Sequence, residues 1–294
     1  MKKLLLLLSF MVALPCLAQP RVVNLWSGAH QPRHVNGVTG PESSDQWGHL
    51  SAVTTPTISV YLPQGATKPT QAVLIVPGGG YEIVSSRSEG QWAAEFLAKN
   101  GVAGIVLKYR LPNGVNKVPL EDALRAMKIV RDSARVWNIN RHEVGVMGFS
   151  AGGHLASTLA TKGTGALRPA FSVLYYPVIT MCNDKLTHGG SRYSLTHGDS
   201  TLYKEYSSEL NVKSSTGRTL IFHCLDDDCV PIGGSELYVE ALKKHGVDNA
   251  FVKYPTGSHG WGFKPEFVQA EPMRATLLDF LNKGYLERAK EFVK

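Results

Sequence analysis

Gly148-Phe149-Ser150-Ala151-Gly152 sets a serine between two glycines, after a strand-like run and before a helix-like one. That context is the one in which a chain turns sharply enough to lift a serine hydroxyl clear of its backbone. A serine hydroxyl is a weak nucleophile at neutral pH. It needs a base to take its proton, and the base needs a partner to orient it. Where the serine sits on a strand–turn–helix, the chain order is serine, then carboxylate, then histidine. His259 fits the last place: it lies in Gly257-Ser258-His259-Gly260, directly after the last strand-like run, and no other histidine follows that run. The carboxylate falls in His223-Cys224-Leu225-Asp226-Asp227-Asp228-Cys229-Val230-Pro231, where three aspartates compete. From the residues alone, two of the three read as solvated or helix-capping charges.

Acyl chemistry also needs donors for a developing oxyanion. Pro77-Gly78-Gly79-Gly80-Tyr81 follows a buried strand-like run, and glycines there allow backbone amides to approach a substrate closely. The amide of Ala151, next after the serine, is the expected second donor. A phosphate loop is excluded, since no Gly-Lys-Ser/Thr or Gly-x-Gly-x-x-Gly follows. His154, in the first turn after Ser150, is expected to pack or bond locally, and His223 to support the acid loop. Glu89 reads either as a charge at a helix start or as a support of the site. Tyr81 and Trp261, beside the glycine loop and the histidine, are candidates for a sugar-binding face; aromatics are as often core.

These residues must be carried by elements that bring them together. Strand signals recur at 58–62, 72–76, 102–107, 143–149, 171–176, 219–223 and 250–254. Helical patterns lie at 88–99, 119–137, 151–160, 234–245 and 270–284. Such alternation predicts an α/β fold: a mostly parallel central sheet with helices on both faces. Ligands of such sheets sit at the carboxyl ends of the strands, where the serine, the aspartates and His259 all fall. Two stretches break the alternation, 21–57 and 178–215; the second reads as an irregular insert or lid.

Residues 1–18 read as a cleavable signal peptide: Lys2 and Lys3 precede an apolar run at 4–14, with small residues at 16 and 18. Pro15 fits poorly with lipid attachment at Cys16. A secreted or periplasmic chain of residues 19–294 is then expected, as one catalytic domain without a membrane span. The formal charge falls from +7 to +5 without Lys2 and Lys3. The basic residues are scattered, so no nucleic-acid partner is expected. Cys182, Cys224 and Cys229 are an odd set for an exported chain; Cys224 and Cys229 could pair, whereas zinc ligation lacks the paired Cys/His spacing.

The chain resembles the bacterial acetylxylan-esterase-like α/β-hydrolases, relatives of the hormone-sensitive-lipase group. The resemblance runs through Leu25-Trp26-Ser27-Gly28-Ala29, Pro77-Gly78-Gly79-Gly80-Tyr81 with Glu89-Gly90, Lys108-Tyr109-Arg110-Leu111-Pro112, and Val146 to Leu155 around the serine. It continues in Tyr176-Pro177-Val178-Ile179-Thr180, Ser208-Glu209-Leu210-Asn211-Val212, His223 to Pro231, and Gly257 to Gly260. It implies Ser150 as nucleophile and His259 as base. The family's acid stands four residues after the strand-end histidine and four before the proline, which implies Asp227. Gly79 and Gly80 take the oxyanion role, with Ala151. Pro77 stands where related lipases carry a histidine, and the Cys224/Cys229 pair departs from the pattern. The activity so implied is that of a serine carboxylesterase needing no metal or organic cofactor, with acetylated xylan or its oligosaccharides as substrate. A feruloyl or short-chain esterase is the neighbouring reading; a non-catalytic carbohydrate-binding relative is the one from another class.

Overall fold

The computed structural model describes residues 19–282. The expected signal peptide lies outside them, as do the last two residues of the helix expected over 270–284.

Eleven strands and six α-helices are found among the described residues. The strands are β1 (Arg21–Asn24), β2 (Ser43–Ser44), β3 (His49–Ser51), β4 (Thr57–Tyr61), β5 (Thr70–Val76), β6 (Val84–Ser85), β7 (Ala103–Lys108), β8 (Ile139–Phe149), β9 (Phe171–Tyr175), β10 (Arg218–Cys224) and β11 (Asn249–Tyr254). The helices are α1 (Trp92–Lys99), α2 (Lys117–Asp132), α3 (Ser150–Lys162), α4 (Gly189–Thr196), α5 (Gly233–Lys244) and α6 (Ala270–Leu281). Eight strands form one sheet in the order β1-β4-β7-β5-β8-β9-β10-β11. From β7 to β11 every pairing is parallel; β4 and β1 close one edge antiparallel.

The burial of β5 shows why this arrangement follows from the sequence. Its apolar run has no polar alternate, so both faces must be covered. Ala72, Leu74 and Val76 enter a core shared with Met127 and Val130 of α2, Leu155 and Leu159 of α3, and Leu242 of α5. Val73 and Ile75 enter the opposite core, with Leu97 of α1 and Leu277 and Phe280 of α6. The period of two along the strand thus feeds two helical layers.

The two stretches outside the alternation are ordered by this frame. Residues 21–57 contribute β1 to the sheet edge, and β2 and β3 to a separate three-stranded sheet, β2-β3-β6. Residues 178–215 hold α4 and two short 3-10 turns, Ser200–Leu202 and Ser208–Asn211. Val178, Ile179, Met181, Leu195, Tyr206 and Val212 of this stretch join the α2/α3/α5 core. The helix expected over 119–137 stops at Asp132 and gives way to turns before β8. No described helix is long and apolar enough to cross a membrane.

Candidate active site

Ser150 sits where β8 becomes α3, with φ of 52°. A non-glycine residue in the left-handed region is uncommon and strained, and it needs an over-determined surrounding. The neighbours supply it. A Cβ on Gly148 would stand 2.4 Å from the Gly152 carbonyl oxygen, and one on Gly152 would stand 2.2 Å from that of Val76. Only glycine at both positions lets strand and helix come this close.

The base arrives from the other end of the chain. Nε2 of His259 lies 2.9 Å from Oγ of Ser150, and its Nδ1 lies 2.7 Å from Oδ2 of Asp227. The loop carrying His259 is folded by backbone that favours glycine: Gly257 has φ of 151° and Ser258 of 52°. Asp226 holds that loop, accepting from the amides of Gly257 (3.1 Å) and Ser258 (2.8 Å). It is therefore a loop brace, not merely a solvated charge. Asp228 remains exposed.

Asp227 is fixed on every side. Oδ1 accepts from the amides of Cys229 and Val230, at 3.0 and 2.8 Å. Oδ2 faces His259 and also Nε2 of the fully buried His223, at 3.2 Å. Burial alone would raise this carboxyl, but bonds from His223 and His259 outweigh it and hold Asp227 well below the usual carboxylate range. Nε2 of His223 faces two acceptors, Oδ2 of Asp227 and the Val230 carbonyl, so it carries a ring proton, while Nδ1 meets Oγ of Ser235.

The glycine loop faces the serine across the sheet edge. Gly79 (φ 123°), Gly80 (φ 66°) and Tyr81 (φ 66°) all lie in the left-handed half of backbone space. The Gly78 amide donates to Oε2 of Glu89 at 2.8 Å. Among the described residues no acceptor takes the amides of Gly79 and Gly80, which line the same cavity as Ser150. The Ala151 amide lies in the first turn of α3, where no intrahelical acceptor exists. Three donors are thus left at the serine.

Glu89 is 4 % exposed, with both oxygens engaged: Oε2 by Gly78 and Oε1 by the Tyr176 hydroxyl at 2.8 Å. The Tyr176 hydroxyl in turn accepts from the Gly262 amide at 2.8 Å, and the Tyr176 ring lies edge-on to His259 at 4.6 Å. A buried strut therefore joins the glycine loop to the histidine loop. Burial raises the Glu89 carboxyl above its ordinary value, against the pull of these donors. The residue lies on a single π-helical turn, Arg87–Gln91, a local irregularity frequent at functional sites.

Two candidates for a sugar-binding face are corrected. Tyr81 is 3 % exposed and bonds Nδ1 of His154 at 2.8 Å; its ring belongs to the core. The left-handed backbone at Tyr81 turns its side chain inward, behind the loop. His154 also reaches the Tyr206 carbonyl through Nε2, and burial lowers its pKa to about 4, so it is a neutral brace. Trp261 is 4 % exposed and stacks on Phe267 at 4.1 Å, against Tyr175 and Tyr176. It is packing beneath the histidine loop. Cys224 and Cys229 are not paired: Cys224 ends β10 and turns into the core, whereas Cys229 lines the cavity.

The cavity above Ser150 holds about 610 Å³. Trp47, Trp92, Arg87, His188, Lys264 and Glu266 surround its mouth. Trp47 stands on the β2–β3 hairpin and is 65 % exposed. Neither Trp47 nor His188 was expected from the sequence; both sit in the stretches that break the strand–helix alternation and carry no motif.

The BD-FAE family model matches residues 58–171, which span β4 to the start of β9 and include Ser150. An acetylxylan esterase of Xylanibacter ruminicola is 40 % identical over 227 residues, 75 % of this chain and 47 % of that protein. Endo-1,4-beta-xylanase B of Butyrivibrio fibrisolvens is 32 % identical over 222 residues, 70 % of this chain and 34 % of that protein. The chain spans less than half the length of either relative. Among solved structures, an acetyl ester-xyloside bifunctional hydrolase from Caldicellulosiruptor lactoaceticus superposes with a TM-score of 0.78 at 28 % identity, covering 92 % of this chain and 98 % of that one. The sheet order, the sharp turn at Ser150 and these likenesses show that the chain belongs to the acetylxylan-esterase-like α/β-hydrolases.

Proposed function

We propose that this chain is an exported serine carboxylesterase that removes acetyl groups from xylan or its oligosaccharides through an acyl-enzyme. The observation that carries the reading is the unbroken chain Ser150–His259–Asp227, with bonds of 2.9 and 2.7 Å, opening onto a cavity lined by Gly79 and Gly80. His259 Nε2 takes the Ser150 proton as Oγ attacks the ester carbonyl. Asp227 keeps the Nδ1 proton in place and balances the imidazolium. The oxyanion forms before the amides of Gly79, Gly80 and Ala151. His259 returns the proton to the leaving sugar oxygen, which leaves acetyl on Oγ. Water, deprotonated by the same nitrogen, then releases acetate and restores the serine.

The mouth supports a neutral, polar leaving group. Arg87, Lys264 and Glu266 place both signs of charge there, and Trp47 and Trp92 offer flat apolar faces beside polar groups. The two xylan-acting relatives support the sugar. The leader-like residues 1–18 support export. Acetate release from acetylated xylan, compared with ferulate release from feruloylated arabinoxylan, tests the substrate. The expected result is acetate in clear excess. Ferulate alone would replace the acetyl reading with a feruloyl one, and neither product would remove the glycan substrate.

A further inference from the structure

His188 caps α4 with its side chain. Its Nδ1 accepts from the Ser191 amide at 3.1 Å and meets Ser191 Oγ at 2.8 Å. A backbone N–H can only donate, so Nδ1 must offer its lone pair. In the neutral ring the proton therefore sits on Nε2. Burial, and then the neighbouring His259, lower the His188 pKa and favour that neutral ring. Among the described residues no protein acceptor takes the Nε2 proton, yet the half-buried ring lines the cavity with Ser150, Gly80 and His259. Its Cε1 would lie 3.9 Å from a Cβ on Gly80, which sets the imidazole directly beside the oxyanion loop.

We propose that His188 is a specificity-determining residue whose Nε2–H donates to a hydroxyl or ring oxygen of the sugar that carries the ester. The proposal rests on the sugar-ester reading above. The helix cap fixes the tautomer, and the fixed tautomer leaves one donor without a protein acceptor at the cavity wall. A simple aryl ester has no sugar oxygen to accept it. Selectivity for sugar ester over aryl ester is therefore where the residue acts.

His188→Asn is the informative variant, because asparagine also caps a helix but does not reach as far. kcat and KM are measured on acetylated xylo-oligosaccharides and on p-nitrophenyl acetate, for wild type, His188→Asn and His188→Gln, with thermal unfolding to confirm folding. The ratio of kcat/KM on the sugar ester to that on the aryl ester should fall about tenfold in both variants, the size of one lost hydrogen bond, and chiefly through KM. An unchanged ratio in either folded variant overturns the proposal, whether both substrates fall together or neither does. If wild type releases no acetate from the oligosaccharide while it cleaves the aryl ester, the sugar reading itself fails and takes this proposal with it.

Discussion

At the scale of single residues, two adjacent carboxylates carry different loads. Asp227 is buried and bonded to His259, whereas Asp226 is exposed and holds the loop on which His259 rides. Asp227→Asn should lower kcat by about 10³–10⁴, because an amide can present the wrong group to Nδ1 and disturb the tautomer. Asp226→Asn keeps one acceptor oxygen for two amides and should cost about tenfold or less. Steady-state kinetics on a chromogenic acetate ester checks both; the reverse ranking would move the acid to Asp226. The same carboxylate leaves a mark on stability. Asp227 is depressed in the folded state, so its contribution is present above the unfolded aspartate pKa of about 3.9 and is lost as pH falls toward the lower folded value. Denaturation across that window should show a steeper loss in wild type than in Asp227→Asn. The sequence alone left three aspartates open. Nothing in Asp226-Asp227-Asp228 says which side chain turns inward, since that depends on the backbone after β10; only the family's spacing singled out the middle one.

At the scale of elements, the decisive contact lies between two loops distant in sequence. Glu89 and Tyr176 link the Gly78 amide to the Gly262 amide through three bonds of 2.8 Å. Glu89→Gln keeps the shape but presents an NH₂ to one of two donors, and Tyr176→Phe removes the middle of the strut. Each should lower kcat by about 10- to 100-fold, with KM changed less, because loose oxyanion donors and a loose base weaken the transition state more than the ground state. The stability of Glu89→Gln should fall little, since burying the charge is itself costly. A variant that melts early without any loss of kcat would make the strut purely structural. The strands and helices were legible because β5, β7 and the second half of β8 carry apolar runs and α2 has a clear inward face. The strut was not. Glu89 read equally as a helix-start charge or as a support of the site, because sequence spacing does not reveal that Tyr176, 87 residues on, donates to it. Likewise Tyr81 and Trp261 were read outward for their neighbours, while left-handed backbone and ring stacking turn them inward.

At the scale of the whole molecule, the parallel sheet gathers the ends of β5, β8, β10 and β11, and with them the glycine loop, Ser150, Asp227 and His259. Residues 178–215 reach the cavity through His188, which caps α4, and the β2-β3-β6 sheet walls it with His49 and Ser85, beside Trp47. Those two pieces were the least legible, since short strands and an eight-residue helix leave no sustained periodicity. They also contribute to the lining of the cavity above Ser150. The most direct test of the account is acetate release from acetylated xylo-oligosaccharides by wild type and by Ser150→Ala, at matched concentrations of folded protein. The account predicts steady release by wild type and a loss of at least about 10³-fold in the variant. Comparable release by both would contradict it, because Ser150 would then not be the nucleophile.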